Sequence, residues 1–195
     1  RNSTSSIPEE GKTLQHPKHS HLLTFSCFKR KQLLTNDTWQ DWLSESINKA
    51  LPNHQFQLVA FVFMPEHVHL VVWSPKLDYK INKFFADLND LFPIESEIPP
   101  NYFQPLLKQL TVTEKGKETF RFWQAGPGHD KNIIAREGAA WAIEYCHNNP
   151  VKRGLCNHPS EWKWSSWKYY HQRDEPWDPK MPMDQESLNG DGEAS

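Results

Sequence analysis

Phe61-Val62-Phe63-Met64-Pro65-Glu66-His67-Val68-His69-Leu70-Val71-Val72 is the stretch that decides how this 195-residue chain folds. Two apolar runs, rich in aromatic and β-branched residues, flank a Pro-Glu interruption. Such side chains fit a pleated surface, so the spacing predicts paired strands over Gln55–Met64 and His67–Ser74. Residues i and i+2 of a strand share a face. His67 and His69 therefore lie side by side, with Val68 and Leu70 turned to the opposite face. Two neutral imidazoles offer two nitrogen ligands to a divalent cation, and suit Mn or Zn somewhat better than Mg. The same pattern also describes two polar residues on an exposed strand face. Taken alone, H-x-H reads as the second of these.

Working outward, His21–Phe28 reads as a first strand, ending in the basic turn Lys29-Arg30-Lys31. Asn36 or Asp37 can cap a helix whose apolar positions Trp39, Trp42, Leu43, Ile47 and Ala50 recur at helical spacing, with Pro52 and Asn53 ending it. On the other side, Lys80–Phe92 reads as an amphipathic helix carrying Ile81, Phe84, Phe85, Leu88, Leu91 and Phe92 on one side. After a proline-rich connection, Leu106–Thr113 and Thr119–Gln124 form a candidate strand pair around Lys115-Gly116-Lys117. Gly126-Pro127-Gly128 is a loop. A third helix runs from Ile134 to about Asn148, stopped by Pro150. Pro159–Trp177 is a Trp-rich closing segment. This β-α-β-β-α-β-α order predicts a single α+β domain with helices packed on an antiparallel sheet. Residues 1–17 and 182–195 read as flexible tails, the second acidic, leaving 18–181 as the domain.

Composition sets limits without choosing a function. Nine Trp and eleven Phe supply bulky core material. No run reaches the roughly 18 to 20 apolar residues of a membrane span, and the polar opening shows no secretory segment. The expectation is a cytoplasmic, nucleoid-associated protein with no membrane partner. The start at Arg1 rather than Met suggests a trimmed or processed product. Cys27, Cys146 and Cys156 form no C-x-x-C pair and read as reduced, buried thiols. Asn2-Ser3-Thr4 and Asn36-Asp37-Thr38 fit the glycosylation pattern, but without a secretion signal both read as chance. The net charge of −2 is concentrated at the ends, and residues 17–181 hold 20 bases against 18 acids. That balance permits nucleic-acid binding without arguing for it.

A second signal closes the third helix: Glu144-Tyr145-Cys146-His147-Asn148-Asn149-Pro150. Tyr145 and Asn149 are four apart and stack on one helical face. Trp141 sits one turn earlier on that face and is expected to pack inward. The Asn149 amide oxygen can serve as a third ligand to a metal, one turn from the Tyr145 hydroxyl, provided Asn149 is still helical before its proline. Taken singly, Tyr145 reads as a core tyrosine whose hydroxyl finds a surface partner.

Together these stretches are recognisable. FVFMPEHVHLVV, then AIEYCHNNPVKRGL some 75 residues later, then SEWKWSSWKYYH, resemble the IS200-like Y1 transposases and more closely their REP-associated tyrosine transposase branch. The first block is similar to the family's M-P-N-H-V-H-L segment, with Glu66 in place of the usual Asn. The second matches Y-I-x-x-N-P-V-x-x-G-L and the third W-P-W-S-S-Y. The opening HLLTFSCFKRKQLL resembles the family's first strand and turn, so the likeness covers about residues 20–171. The loop Gln124–Asn132 departs from the family's W-Q-x-x-[FY]-x-[DE]-H run in its glycines, and His129 is the candidate for that run's histidine.

The resemblance implies a ferredoxin-like, HUH-type core and a metal-dependent endonuclease and strand transferase. It implies that His67, His69 and Asn149 bind a divalent metal, Mg2+ or Mn2+, and that Tyr145 is the nucleophile. Single-stranded DNA would be cleaved and rejoined beside a hairpin, as in repetitive extragenic palindromes, through a covalent 5′-phosphotyrosine. A tyrosine hydroxyl has a pKa near 10, so it needs the metal or a nearby base to attack at neutral pH. Lys29, Arg30 and Lys31, and Lys152 and Arg153 after the third helix, are candidate phosphate contacts; each cluster reads equally as a solvated turn. Trp162, Trp164, Trp167, Tyr169 and Tyr170 either stack unpaired bases or pack on the sheet. The partner is single-stranded or hairpin DNA, with monomer and homodimer both open.

Three other readings fit these residues less well. A histidine-triad hydrolase needs H-x-H-x-H, and the third position here is Val71. A rolling-circle initiator shares the chemistry but arranges its motifs differently. A catalytically silent, domesticated hairpin-binding protein is disfavoured by the intact His67, His69, Tyr145 and Asn149.

Overall fold

The strand pair at the centre of the sequence forms the centre of the sheet. In the computed structural model, which describes residues 20–76, 78–91, 104–126, 128–133, 135–172 and 181–182, β1 is Ser20–Ser26, β2 Gln57–Met64 and β3 His67–Trp73. β2 and β3 pair antiparallel across the tight Pro65-Glu66 connection, and β3 pairs antiparallel with β1. A fourth strand, β6 (His129–Ile133), pairs antiparallel with β1, giving the order β2-β3-β1-β6. That strand lies inside the stretch expected to be loop. Its residues His129, Asp130, Lys131 and Asn132 are exposed and polar, so no apolar alternation marks it; backbone pairing to β1 alone makes it a strand.

Helices cover both faces. α1 (Asp37–His54) begins at Asn36, whose side chain accepts a hydrogen bond from the Trp39 N–H. It buries Trp39, Leu43, Ile47 and Ala50 against one face of the sheet, and α2 (Ile81–Leu91) adds Phe84, Phe85 and Leu88 there. Val68, Leu70 and Val72 point into this larger core. The opposite face carries Leu22, Ala60, Val62, Met64 and Val71, and is covered by Ala139, Ala142 and Cys146 of α4 (Arg136–Lys152). Cys27, Cys146 and Cys156 are free, the first two buried.

Several expected boundaries move. Pro52 lies inside α1, which runs on to His54 before Gln55 turns left-handed at φ 57°. Pro150 lies likewise inside α4, which continues to Lys152. A proline forfeits one bond to the residue four back, yet each helix continues two residues beyond its proline. Leu106–Leu110 is helical, in α3 (Gln104–Leu110), rather than strand; only Thr111–Glu114 (β4) and Lys117–Phe120 (β5) form the hairpin. Leu106 and Leu110 stand four apart, about one helical turn, and both pack on the main core. The Trp-rich segment yields a 3-10 turn at Pro159–Glu161 and the short helix α5 (Trp167–His171). The expected tails, 1–17 and 182–195 apart from Pro182, lie outside the described residues, as do Phe92 and residues 173–177. Among the described residues no helix is long and apolar enough to cross a membrane.

Candidate active site

The register of β3 and the packing of α4 build the site. His67 and His69 point to the α4 side of the sheet, and both are buried, 5% and 4% exposed. Their Nε2 atoms converge to 3.0 Å. Asn149 is helical, and its Nδ2 lies 3.2 Å from His69 Nε2. One turn back, the Tyr145 ring meets the His69 ring edge-on, with centroids 5.1 Å apart. The strand-borne imidazoles and the helix-borne phenol therefore occupy one place. Tyr145 and Asn149 share a face because four residues nearly complete a turn.

The outer nitrogens decide what the inner ones present. Glu66 Oε1 lies 3.1 Å from His67 Nδ1. A carboxylate can only accept, so His67 carries its proton on Nδ1 and leaves Nε2 bare. Thr24, opposite His69 in the β1–β3 register, brings Oγ1 to 2.8 Å from His69 Nδ1. With Asn149 donating to His69 Nε2, that nitrogen too is an acceptor. Two acceptor nitrogens thus face each other across 3.0 Å, the His69 one also accepting from the Asn149 amide, whose flip would present Oδ1 instead of Nδ2. Facing lone pairs repel unless a proton or cation lies between them, so this donor set fits a divalent metal. Burial holds the His69 pKa down to about 3, helped by His67 and Arg30, and burial also lowers His67 against the pull of Glu66. Both imidazoles are neutral near pH 7, as ligands must be.

Glu66 is the residue that sequence reasoning registered only as a departure. It is 4% exposed, and its Oε1 accepts from Arg153 Nη1 at 2.8 Å and Arg30 Nη2 at 3.1 Å as well as from His67. Burial pushes its carboxyl pKa up, but the Arg153 hydrogen bond and the nearby charges of His67, Arg153 and Arg30 outweigh it and lower the net value. Among the described residues, Oε2 is buried without a hydrogen-bond partner. Two basic clusters far apart in sequence thus meet at one carboxylate beside the histidine pair. Lys152 joins them, its Nζ 5.6 Å from the Tyr145 ring centroid. Lys29 and Lys31 do not: Lys29 Nζ lies over the Phe28 ring, and Lys31 Nζ donates to Gln109 Oε1 at 2.6 Å.

Trp141 corrects an expectation. It stacks on Tyr145 as the spacing implies, with centroids 5.2 Å apart, but it is 47% exposed rather than inward. The core stripe of α4 is Ala139, Ala142 and Cys146, so the Trp141–Tyr145–Asn149 stripe faces the mouth of the site. Lys131 Nζ sits 4.1 Å above the Trp141 ring. The Trp-rich closing segment, by contrast, covers the free edge of β2. Phe63 N–H donates to the Trp164 carbonyl, Ser166 N–H to the Phe61 carbonyl, and Tyr170 Oη to the Val59 carbonyl. Trp162 Nε1 donates to the Phe63 carbonyl. Covering an exposed strand edge is a packing role. Neither Thr24 nor Trp141 was legible as a site residue: Thr24 needed the strand register, and Trp141 needed the tilt of α4.

Residues 16–91 match the family model described as "Transposase IS200 like". The chain is 25% identical over 138 residues to the REP-associated tyrosine transposase of Escherichia coli, covering 71% of this chain and 69% of the relative. It is also 25% identical over 141 residues to a Haemophilus influenzae protein assigned by name to the same group, covering 69% and 76%. Among solved structures, a REP-associated tyrosine transposase bound to a REP hairpin superposes with a TM-score of 0.59 at 20% identity, over 96% of this chain and 99% of that one. That likeness shows the shared fold: an antiparallel sheet with helices packed on it.

Proposed function

We propose that this relative of the IS200-like and REP-associated tyrosine transposases cuts and rejoins single-stranded DNA beside a hairpin. In this account Tyr145 is the nucleophile, and His67, His69 and Asn149 hold a divalent metal, Mg2+ or Mn2+. The observation that carries the reading is the convergence of two acceptor imidazole nitrogens, 3.0 Å apart, next to Tyr145. A bound divalent ion would act there as a Lewis acid toward a phosphate oxygen.

The chain's own residues account for the rest. The Tyr145 oxygen attacks phosphorus and the phenol gives up its proton. The P–O3′ bond breaks, and the departing 3′ oxygen takes a proton. One phosphodiester is exchanged for a 5′-phosphotyrosine ester, so a strand's 3′-OH can reverse the step without ATP. Arg30, Arg153 and Lys152 crowd the rim and suit the flanking phosphates. The exposed face of Trp141 suits an unpaired base next to the cut. Glu66 holds His67 in the tautomer that leaves Nε2 free, and Thr24 steadies the His69 ring through its Nδ1.

The test is incubation of end-labelled hairpin oligonucleotides with the protein and Mn2+, resolved on a denaturing gel. A covalent protein–DNA band is expected with the wild type and is absent with Tyr145→Phe, which still shifts the DNA on a native gel. A Tyr145→Phe protein that nicks as the wild type does removes the nucleophile. A wild type that shifts the hairpin without cutting leaves a binding protein only.

A further inference from the structure

The helix that carries Tyr145 presents a second set of ligands on another face. Successive helix residues turn by about 100°, so His147 sits about 200° round from Tyr145, while Glu144 and His147, three apart, are neighbours. α5 brings His171 against this face. The candidate ligand atoms of Glu144, His147 and His171 all lie within 4.8 Å of one another. We propose that Glu144, His147 and His171 form a second divalent-metal site, suited to Zn2+, that ties the helix bearing Tyr145 to the closing helix.

Three observations support it. His147 is 1% exposed, and its Nε2 lies 3.0 Å from Ser166 Oγ, but its Nδ1 is buried with no hydrogen-bond partner among the described residues. A buried polar atom without a partner is costly and uncommon in a folded protein; a metal ion at this nitrogen would remove the cost. Next, His171 is positioned rather than free to sweep: its ring stacks on Trp167 with centroids 4.5 Å apart and 6.0 Å from the His147 ring. Finally, Asn148 Nδ2 donates to Glu144 Oε2 at 3.0 Å, which steadies the carboxylate and leaves its other oxygen for a ligand bond. Glu-x-x-His on a helix plus one further histidine makes a two-nitrogen, one-oxygen set, and with a water in the fourth position it fits tetrahedral zinc. Bonds of about 2 Å put tetrahedral ligand atoms about 3.3 Å apart. Glu144 and His171 are exposed, so the closing from within 4.8 Å to that spacing falls to these two side chains rather than to buried His147.

The site is independent of the His67–His69 pair, and the test separates the two. Zinc uptake by the full chain is counted by titration against a chromophoric chelator, with Co2+ absorption reporting ligand geometry. The wild type should take up two equivalents. His171→Ala and Glu144→Gln, both at exposed positions, should each lose one equivalent and keep the other, with circular dichroism unchanged. His67→Ala should lose the opposite equivalent. Uptake of two equivalents by His171→Ala, or a wild type whose only zinc disappears in His67→Ala, overturns the proposal.

Discussion

Glu66 shows how much a single side chain decides at this site. One oxygen holds the His67 tautomer and draws two arginines to the rim. Groups that fix a metal ligand from behind are worth about 10–100-fold in metal affinity. Glu66→Ala should therefore weaken Mn2+ binding by about that factor in calorimetric titration, while Glu66→Gln, which keeps an acceptor for His67 Nδ1, should retain most of it. Equal affinities for Glu66→Ala and the wild type would show that the carboxylate does not orient the ligand.

The buried histidines make a separate prediction about acid. His69 and His147 are pushed from 6.5 to about 3, each chiefly by burial. Between those values the unfolded chain binds more protons than the folded one, so stability falls as pH drops through that window. Each group contributes up to about 1.4 kcal/mol per pH unit. In urea unfolding with chelator present, the wild type should lose stability between pH 6.5 and 5 more steeply than His147→Gln. Parallel slopes would contradict the buried neutral imidazole. At this scale the sequence placed the candidate residues on shared faces where the motif was local. His67 and His69 needed only the two-residue period of a strand, and Tyr145 and Asn149 only the helical turn. Thr24 and the Arg30–Glu66–Arg153 cluster depend on contacts across 36 to 87 residues of chain, which no local spacing encodes.

Elements differ in the same way. β2, β3, α1 and α2 carry strong apolar periodicity, and their existence was readable. β6 was not, because its exposed polar residues carry no pattern, and its place is set by pairing to β1. The approach to that strand is tight. Gly128 has φ 70°, and a Cβ there would stand 2.7 Å from the Thr24 carbonyl oxygen. Gly128→Ala combines left-handed strain with a backbone clash, so a loss of about 1–3 kcal/mol is expected. The shift would press on the strand that holds His69 through Thr24. Thermal melting checks the stability, and an unchanged Tm would mean that the loop moves freely. α4 is the counterexample on proline: Pro150 read as a stop, yet the helix runs past it to a left-handed Gly154, whose N–H donates to the Val151 carbonyl. Had it stopped at Asn148, Asn149 would not share a face with Tyr145.

For the whole molecule, the sheet is a partition. Its α1–α2 face holds the larger core, and its α4 face holds the histidines, so the main core and the candidate site lie on opposite sides of the same strands. The near-zero charge of the domain did not reveal the cluster, because Arg30 and Arg153 gather at one place while acids and bases elsewhere cancel. The central claim is that a cation bridges the two Nε2 atoms within reach of Tyr145. Anomalous diffraction from crystals soaked in Mn2+ tests it most directly. The account predicts an anomalous peak at bonding distance from His67 Nε2 and His69 Nε2, with the Asn149 amide turned to present its oxygen. Saturating Mn2+ that leaves this position empty, or binds away from both imidazoles, would contradict it.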